Sequence, residues 1–122
     1  MSYVTLAIKV LLTLAFVAVG TAKLAGAEMM VATFDAVGVG QWFRYVTGAI
    51  EVGAAALLWV RGREAIGAAL LTATMVGAVL AHLVILGPSA VPALVLGTLS
   101  AVILWLYRDQ LTSLRGTETS AA

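Results

Sequence analysis

Cysteine is absent from the 122 residues, histidine occurs once and proline twice. Without a thiol the chain cannot form a disulfide, ligate an iron–sulfur cluster or run thiol redox chemistry. With a single imidazole, one copy cannot give a haem two histidine ligands. Charge is scarce as well. Seven basic and six acidic side chains make up 11% of the sequence, where soluble domains carry about 25%. So small a domain exposes much of its surface, and so few charges cannot clothe it for water. The basic residues are scattered rather than gathered on one face, which excludes nucleic acid as a partner. What is present is apolar: 62% of residues are hydrophobic and the mean hydropathy is +1.08. The expected solvent is a lipid bilayer.

A helix needs about 20 residues to cross the hydrocarbon core. Four apolar segments approach that length: Val4 to Ala22 with Lys9 inside it, about Tyr45 to Val60 with Glu51, Ala65 to Leu86 with His82, and roughly Val91 to Tyr107. Backbone groups in lipid must pair within their own segment, so helices are expected rather than strands. The fold expected is an all-α membrane protein, a four-transmembrane-helix bundle over residues 1–107 with a polar, frayed cytoplasmic tail over 108–122. The connectors at 61–64 and 87–92 are short, and glycine and proline in the second stop one helix and start the next.

With four crossings, both termini share a side with the 61–64 connector. Arg61, Arg63, Arg108 and Arg115 fall there, and Lys9 can snorkel towards it. Lys23 and Arg44 fall on the other side. The asymmetry places both termini in the cytoplasm and the protein in an inner or plasma membrane. A cleaved signal peptide would need a basic start, which the first eight residues lack.

Residues 24–43 form a longer connector between the first two spans. Met29, Met30, Phe34 and Val37 recur at roughly helical spacing beside Glu28 and Asp35, which predicts a short amphipathic helix lying at the interface. Gly38-Val39-Gly40 breaks it, and Trp42 and Phe43 follow at headgroup level, as an anchor or as a lid.

Charged groups within a membrane cost several kcal/mol unless paired or watered. Helix phase sorts them. Lys9, Thr13, Phe16, Gly20 and Lys23 share one stripe; Arg44, Gly48 and Glu51 share another; Gly67, Leu71, Thr74, Ala78 and His82 share a third. Small residues on such stripes, notably Gly20, Gly48 and Gly67, let neighbouring helices approach. Glu51 lies about 10 Å deeper than Arg44 at 1.5 Å per residue, and His82 lies about 7 Å inside Gly87. Lys23, Trp42, Arg44, Glu51 and His82 thus fall at one level, the candidate lining of a small-molecule cavity. Glu51 and His82 are the candidates for proton chemistry. Plainer roles stand beside these: Glu51 as helix glue neutralised by Arg44 or Lys23, His82 bonded to a carbonyl, Lys9 as a snorkelling anchor, and Lys23 and Arg44 as headgroup anchors. One histidine and one glutamate fall short of the three or four ligands of a zinc site, so no metal is expected. No glycine-rich phosphate loop occurs, and Ser100 has no base on its helix.

Gly20-Thr21-Ala22-Lys23-Leu24 resembles the G-x-x-K-L signature of the DoxX-like membrane proteins. The run RYVTGAIEVGAAALL from Arg44 to Leu58 resembles their second-helix pattern of glycine, glutamate and small residues, and a lone histidine late in the third helix fits as well. The resemblance spans nearly the whole chain and carries over Gly20, Lys23, Gly48, Glu51 and His82. It implies a compact four-helix protein. Some relatives are subunits of quinone-reducing membrane oxidoreductases and most have no assigned activity, so the cofactor stays open, with a quinone as the candidate ligand and an oxidoreductase, soluble or membrane-bound, as the candidate partner. Association with further copies of the chain stays open. So do two other functions: a non-enzymatic scaffold or assembly partner, and a proton-coupled small-molecule transporter. Four-helix transporters of that kind are expected to carry their acid in helix one, where this chain has Lys9.

Overall fold

In the computed structural model, residues 2–86 and 90–112 are described, and all their regular structure is helical. Arg115 and the connector residues 87–89, which the charge asymmetry and the turn reading used, lie outside the described residues. Among the described residues five helices follow in order: α1 (Tyr3–Ala25), α2 (Glu28–Val37), α3 (Gln41–Leu57), α4 (Glu64–Ala81) and α5 (Val91–Leu106). The end of α4 continues as a π-helical stretch, His82–Leu86.

Local sequence explains the boundaries. The Ser2 hydroxyl accepts from the Thr5 N–H at 3.1 Å and caps α1. Gly26 ends α1 in the left-handed region at φ 76°, and its N–H returns to the Ala22 and Lys23 carbonyls. Gly38 ends α2 in the same way at φ 81°. Pro92 sits in the first turn of α5, where its missing N–H costs no helical bond. The structure moves one expected boundary. Gln41, Trp42 and Phe43 are not a linker before the second long helix but its first turn.

The four long helices close a ring: α1 packs on α3 and α5, and α4 packs on α3 and α5. Leu12, Phe16, Ala54, Ala55, Leu58, Ala68, Leu71 and Ile103 fill the middle. The short alanine side chains bring the backbones close, as expected where helices lack a water-driven force to associate. Outward positions such as Leu11, Leu14, Val76, Leu80, Leu94 and Val102 are exposed and apolar. The short α2 lies across one end of the ring, touching α1, α3 and the π-helical stretch.

Tyr3–Ala25 and Glu64–Ile85 are long and apolar enough to cross a membrane. The 16-residue α5 is apolar but shorter, and the 17-residue α3 carries Arg44 and Glu51. At 1.5 Å per residue these last two reach about 24–26 Å.

The start of the expected frayed tail is not frayed. Gln110 accepts from the Ala65 N–H at 2.9 Å and donates to Glu64 Oε1 at 2.8 Å, so the chain just after α5 clamps the start of α4. The unpaired N–H groups of a helix start are what draw the amide there.

Candidate functional site: an ion pair beside an apolar cavity

Two glycines set the site. A methyl group on Gly20 would lie 2.7 Å from Val52 Cγ2 and 3.0 Å from the Gly48 carbonyl oxygen; one on Gly48 would lie 2.9 Å from the Gly20 carbonyl oxygen. Only glycine at both positions lets α1 and α3 cross so closely. Helical side chains lean towards the N-terminus of their own helix. The Lys23 stem therefore runs back along α1 to the crossing, where its ammonium donates to Glu51 Oε1. The Glu51 side chain is 1% exposed and the Lys23 side chain 11%. Gly67 does for α3 and α4 what the first pair does for α1 and α3: a methyl group there would lie 2.6 Å from the Ala54 carbonyl oxygen.

Arg44 does not share in this pair. Its Nη1 donates to the Lys23 carbonyl and its Nε to Gln41 Oε1 at 2.8 Å; Gln41 in turn donates to the Val31 carbonyl and Asp35 Oδ1. A buried cation thus meets the carbonyl end of α1, where the helix dipole favours it. Arg44 ties α1, α2 and α3 together and is absent from the cavity lining.

The cavity, about 610 Å³ in volume and open on one side, lies among α1, α2, α3, α4 and the start of α5. Its walls are chiefly apolar, among them Met30, Phe34, Phe43, Ile50, Ala78 and Leu96, and its polar lining includes Lys23, Glu51, Thr74 and His82. His82 opens the π-helical stretch, a local widening frequent at functional sites. Two buried polar atoms in this wall have no hydrogen-bond partner, Glu51 Oε2 and His82 Nδ1.

Trp42 corrects a further expectation. It is 60% exposed and does not line the cavity. It stands edge-on to Phe43 at 5.7 Å, and Phe43 stands edge-on to Phe34 at 6.0 Å; those two phenyl rings face the cavity instead. Lys9, expected to snorkel to water, is 2% exposed. Its ammonium lies 4.6 Å from the Trp59 ring centre and 5.4 Å from that of Tyr107. Trp59 is held there by its N–H, which donates to Thr13 Oγ1 at 2.7 Å. Trp59 and Tyr107 come from the ends of two other helices, so nothing near Lys9 in the sequence announces this aromatic enclosure. Ser100, also buried, spends its hydroxyl on the Leu96 carbonyl at 2.8 Å.

The DoxX-like family matches residues 7–106. The chain belongs to the DoxX-like family. No curated protein and no solved structure matches it. DoxX-like membership and the apolar helices make this a membrane protein in a lipid bilayer. The matched span of this DoxX-like chain contains Lys9, Lys23, Glu51 and His82, whereas Gln110 and its clamp on α4 fall outside it.

Proposed function

We propose that this DoxX-like protein spans the membrane four times, through α1, α3, α4 and α5, and holds a quinone in the cavity beside Lys23, Glu51 and His82. The observation that carries the reading is the cavity itself: about 610 Å³ of mainly apolar wall with Lys23, Glu51 and His82 among its few polar side chains. Small-molecule sites have this build, with volumes of roughly 300–1,000 Å³. The apolar walls would hold the ring and the start of its tail. Lys23, which has two N–H groups beyond the one given to Glu51, and His82 would hold the head-group oxygens. Bound there, a quinone would supply an acceptor for two electrons and two protons. The electrons would come from an oxidoreductase partner, as the family resemblance implies. Glu51 and His82 are the groups of this chain able to hold or pass a proton at the cavity wall.

Aromatic placement supports four crossings. Exposed Trp42 stands at the α2 end of the bundle, and exposed Trp59 and Trp105 at the other. Trp42 and Trp59 are about 25 Å apart along α3 at 1.5 Å per residue. Interfacial belts occupy such positions, and a modest local thinning of the bilayer accommodates the shorter helices. Arg61, Arg63 and Arg108 share the Trp59 end, which would face the cytoplasm of an inner or plasma membrane with both termini. Residues 1–107 would form the membrane domain and 108–122 a cytoplasmic tail, its first residues folded back on α4.

The test is extraction of protein purified in mild detergent, with quinone counted per chain, beside Ala78→Trp, which fills the cavity. Near-stoichiometric quinone in the wild type, and about a tenfold loss in a folded Ala78→Trp, supports the site. Equal and weak binding of added quinone to both proteins overturns it. A stable oxidoreductase partner recovered without quinone would favour the scaffold reading.

A further inference from the structure

We infer that the cavity selects the hydroxyl-bearing, reduced form of its ligand: a hydroquinone over the corresponding quinone. The inference rests on the ligand site proposed above and adds what its head group must carry. Glu51 is fully buried, and its Oε1 is engaged by the Lys23 ammonium. Its Oε2 has no partner. A carboxylate paired with an ammonium is an acceptor at both oxygens. Oε2 therefore gains nothing from a carbonyl, which also only accepts, and lone pair would face lone pair. A ligand hydroxyl donates to it. The last torsion of a glutamate side chain is soft, so a small turn of the carboxyl group brings Oε2 to the cavity surface while Lys23 keeps its hold.

His82 sets the same requirement less strictly. Its Nδ1 is also buried without a partner, at the end of α4 in the lining of the same cavity. A neutral imidazole nitrogen is a donor or an acceptor according to tautomer. A hydroxyl serves either tautomer, whereas a carbonyl serves only one. One head-group class, the hydroquinone with a hydroxyl at each end of its ring, satisfies Glu51 in its paired state and His82 in both tautomers. Hydrogen bonds to charged acceptors are the stronger kind. A donor lost against a buried carboxylate is therefore expected to weaken binding by about tenfold or more.

Glu51→Gln makes the inference sharp. The amide keeps the shape and leaves its oxygen to Lys23, which turns an N–H group to the position of Oε2. Donor replaces acceptor, so the preference should reverse. The experiment is a calorimetric or fluorescence titration of the purified protein with decylubiquinol under reducing conditions, with decylubiquinone, and with the dimethyl ether of the quinol. The ether keeps the ring and removes both donors. The expected order is quinol tighter than quinone and ether by about tenfold in the wild type, with quinone equal to or tighter than quinol in Glu51→Gln. Equal affinity for quinol and quinone in the wild type, or an ether that binds as well as the quinol, overturns the inference while leaving the cavity as a quinone site. Failure of all three to bind overturns both. If Glu51→Gln does not fold, the comparison of quinol with ether on the wild type decides alone.

Discussion

Breaking the Lys23–Glu51 pair should destabilise the protein unequally from its two sides. Lys23→Met leaves the Glu51 carboxylate without its cation at 1% exposure, on a short stem that cannot reach water. Uncompensated buried charges of this kind cost about 3–5 kcal/mol, and Lys23→Met is expected in that range. Glu51→Ala leaves an ammonium that is 11% exposed, near the end of α1, on a stem of four methylenes. That stem can swing towards the headgroups, so Glu51→Ala should cost less, about 2–3 kcal/mol, part of it for the lost packing. Glu51→Gln keeps the acceptor for Lys23 and should cost least. The double variant Lys23→Met/Glu51→Leu removes both charges and keeps the volume; replacement of a buried pair by apolar groups is often neutral or favourable by about 1–4 kcal/mol. The assay is reversible unfolding in mixed micelles, followed by helical circular dichroism, with wild type, Lys23→Met, Glu51→Leu and the double variant treated as a double-mutant cycle. Single variants within about 0.5 kcal/mol of wild type, or effects that simply add in the double variant, would refute a buried, mutually neutralising pair.

Gly20→Leu should lose at least about 1–3 kcal/mol through overpacking. A methyl alone already meets Val52 and the Gly48 carbonyl, and unfolding in micelles would detect the loss. Trp59→Leu removes the ring face beneath the Lys9 ammonium and the bond to Thr13; the expected cost is about 1–3 kcal/mol, smaller in a Lys9→Met background because desolvated cation–π contacts carry up to about 2 kcal/mol. Additive effects of those two substitutions would show that the ring and the ammonium do not interact. Gln110→Ala should cost about 1–2 kcal/mol and speed amide exchange at Ala65, whose N–H it leaves without that acceptor; unchanged exchange would separate residues 108–112 from the bundle. A protease site placed after Ala122 should resist external protease in intact cells and yield once the membrane is opened, and cleavage in intact cells would invert the proposed orientation.

Composition alone determined the solvent and, through backbone pairing, the helical class, because so apolar a chain has no other way to satisfy its N–H and C=O groups in lipid. The helical repeat determined more: it put Gly20 and Lys23 on one stripe and Gly48 and Glu51 on another, the two stripes that face each other across the α1–α3 crossing. Phase fixes which residues share a face. It does not fix how that face is turned towards its neighbours, since one residue of error rotates a side chain by about 100°. Trp42 and Phe43 show the size of the effect: as neighbours in the first turn of α3 they point apart, and Phe43 lines the cavity while Trp42 is exposed. Depth likewise gave Glu51 two candidate cations, and only the packed structure separated them. The lysine stem leans back to the glycine crossing, and Arg44 is drawn to the carbonyl end of α1. The enclosure of Lys9 by Trp59 and Tyr107, and the clamp of Gln110 on α4, join residues about 45 or more positions apart. Local pattern carries no record of such contacts, because they exist only once the helices have closed their ring.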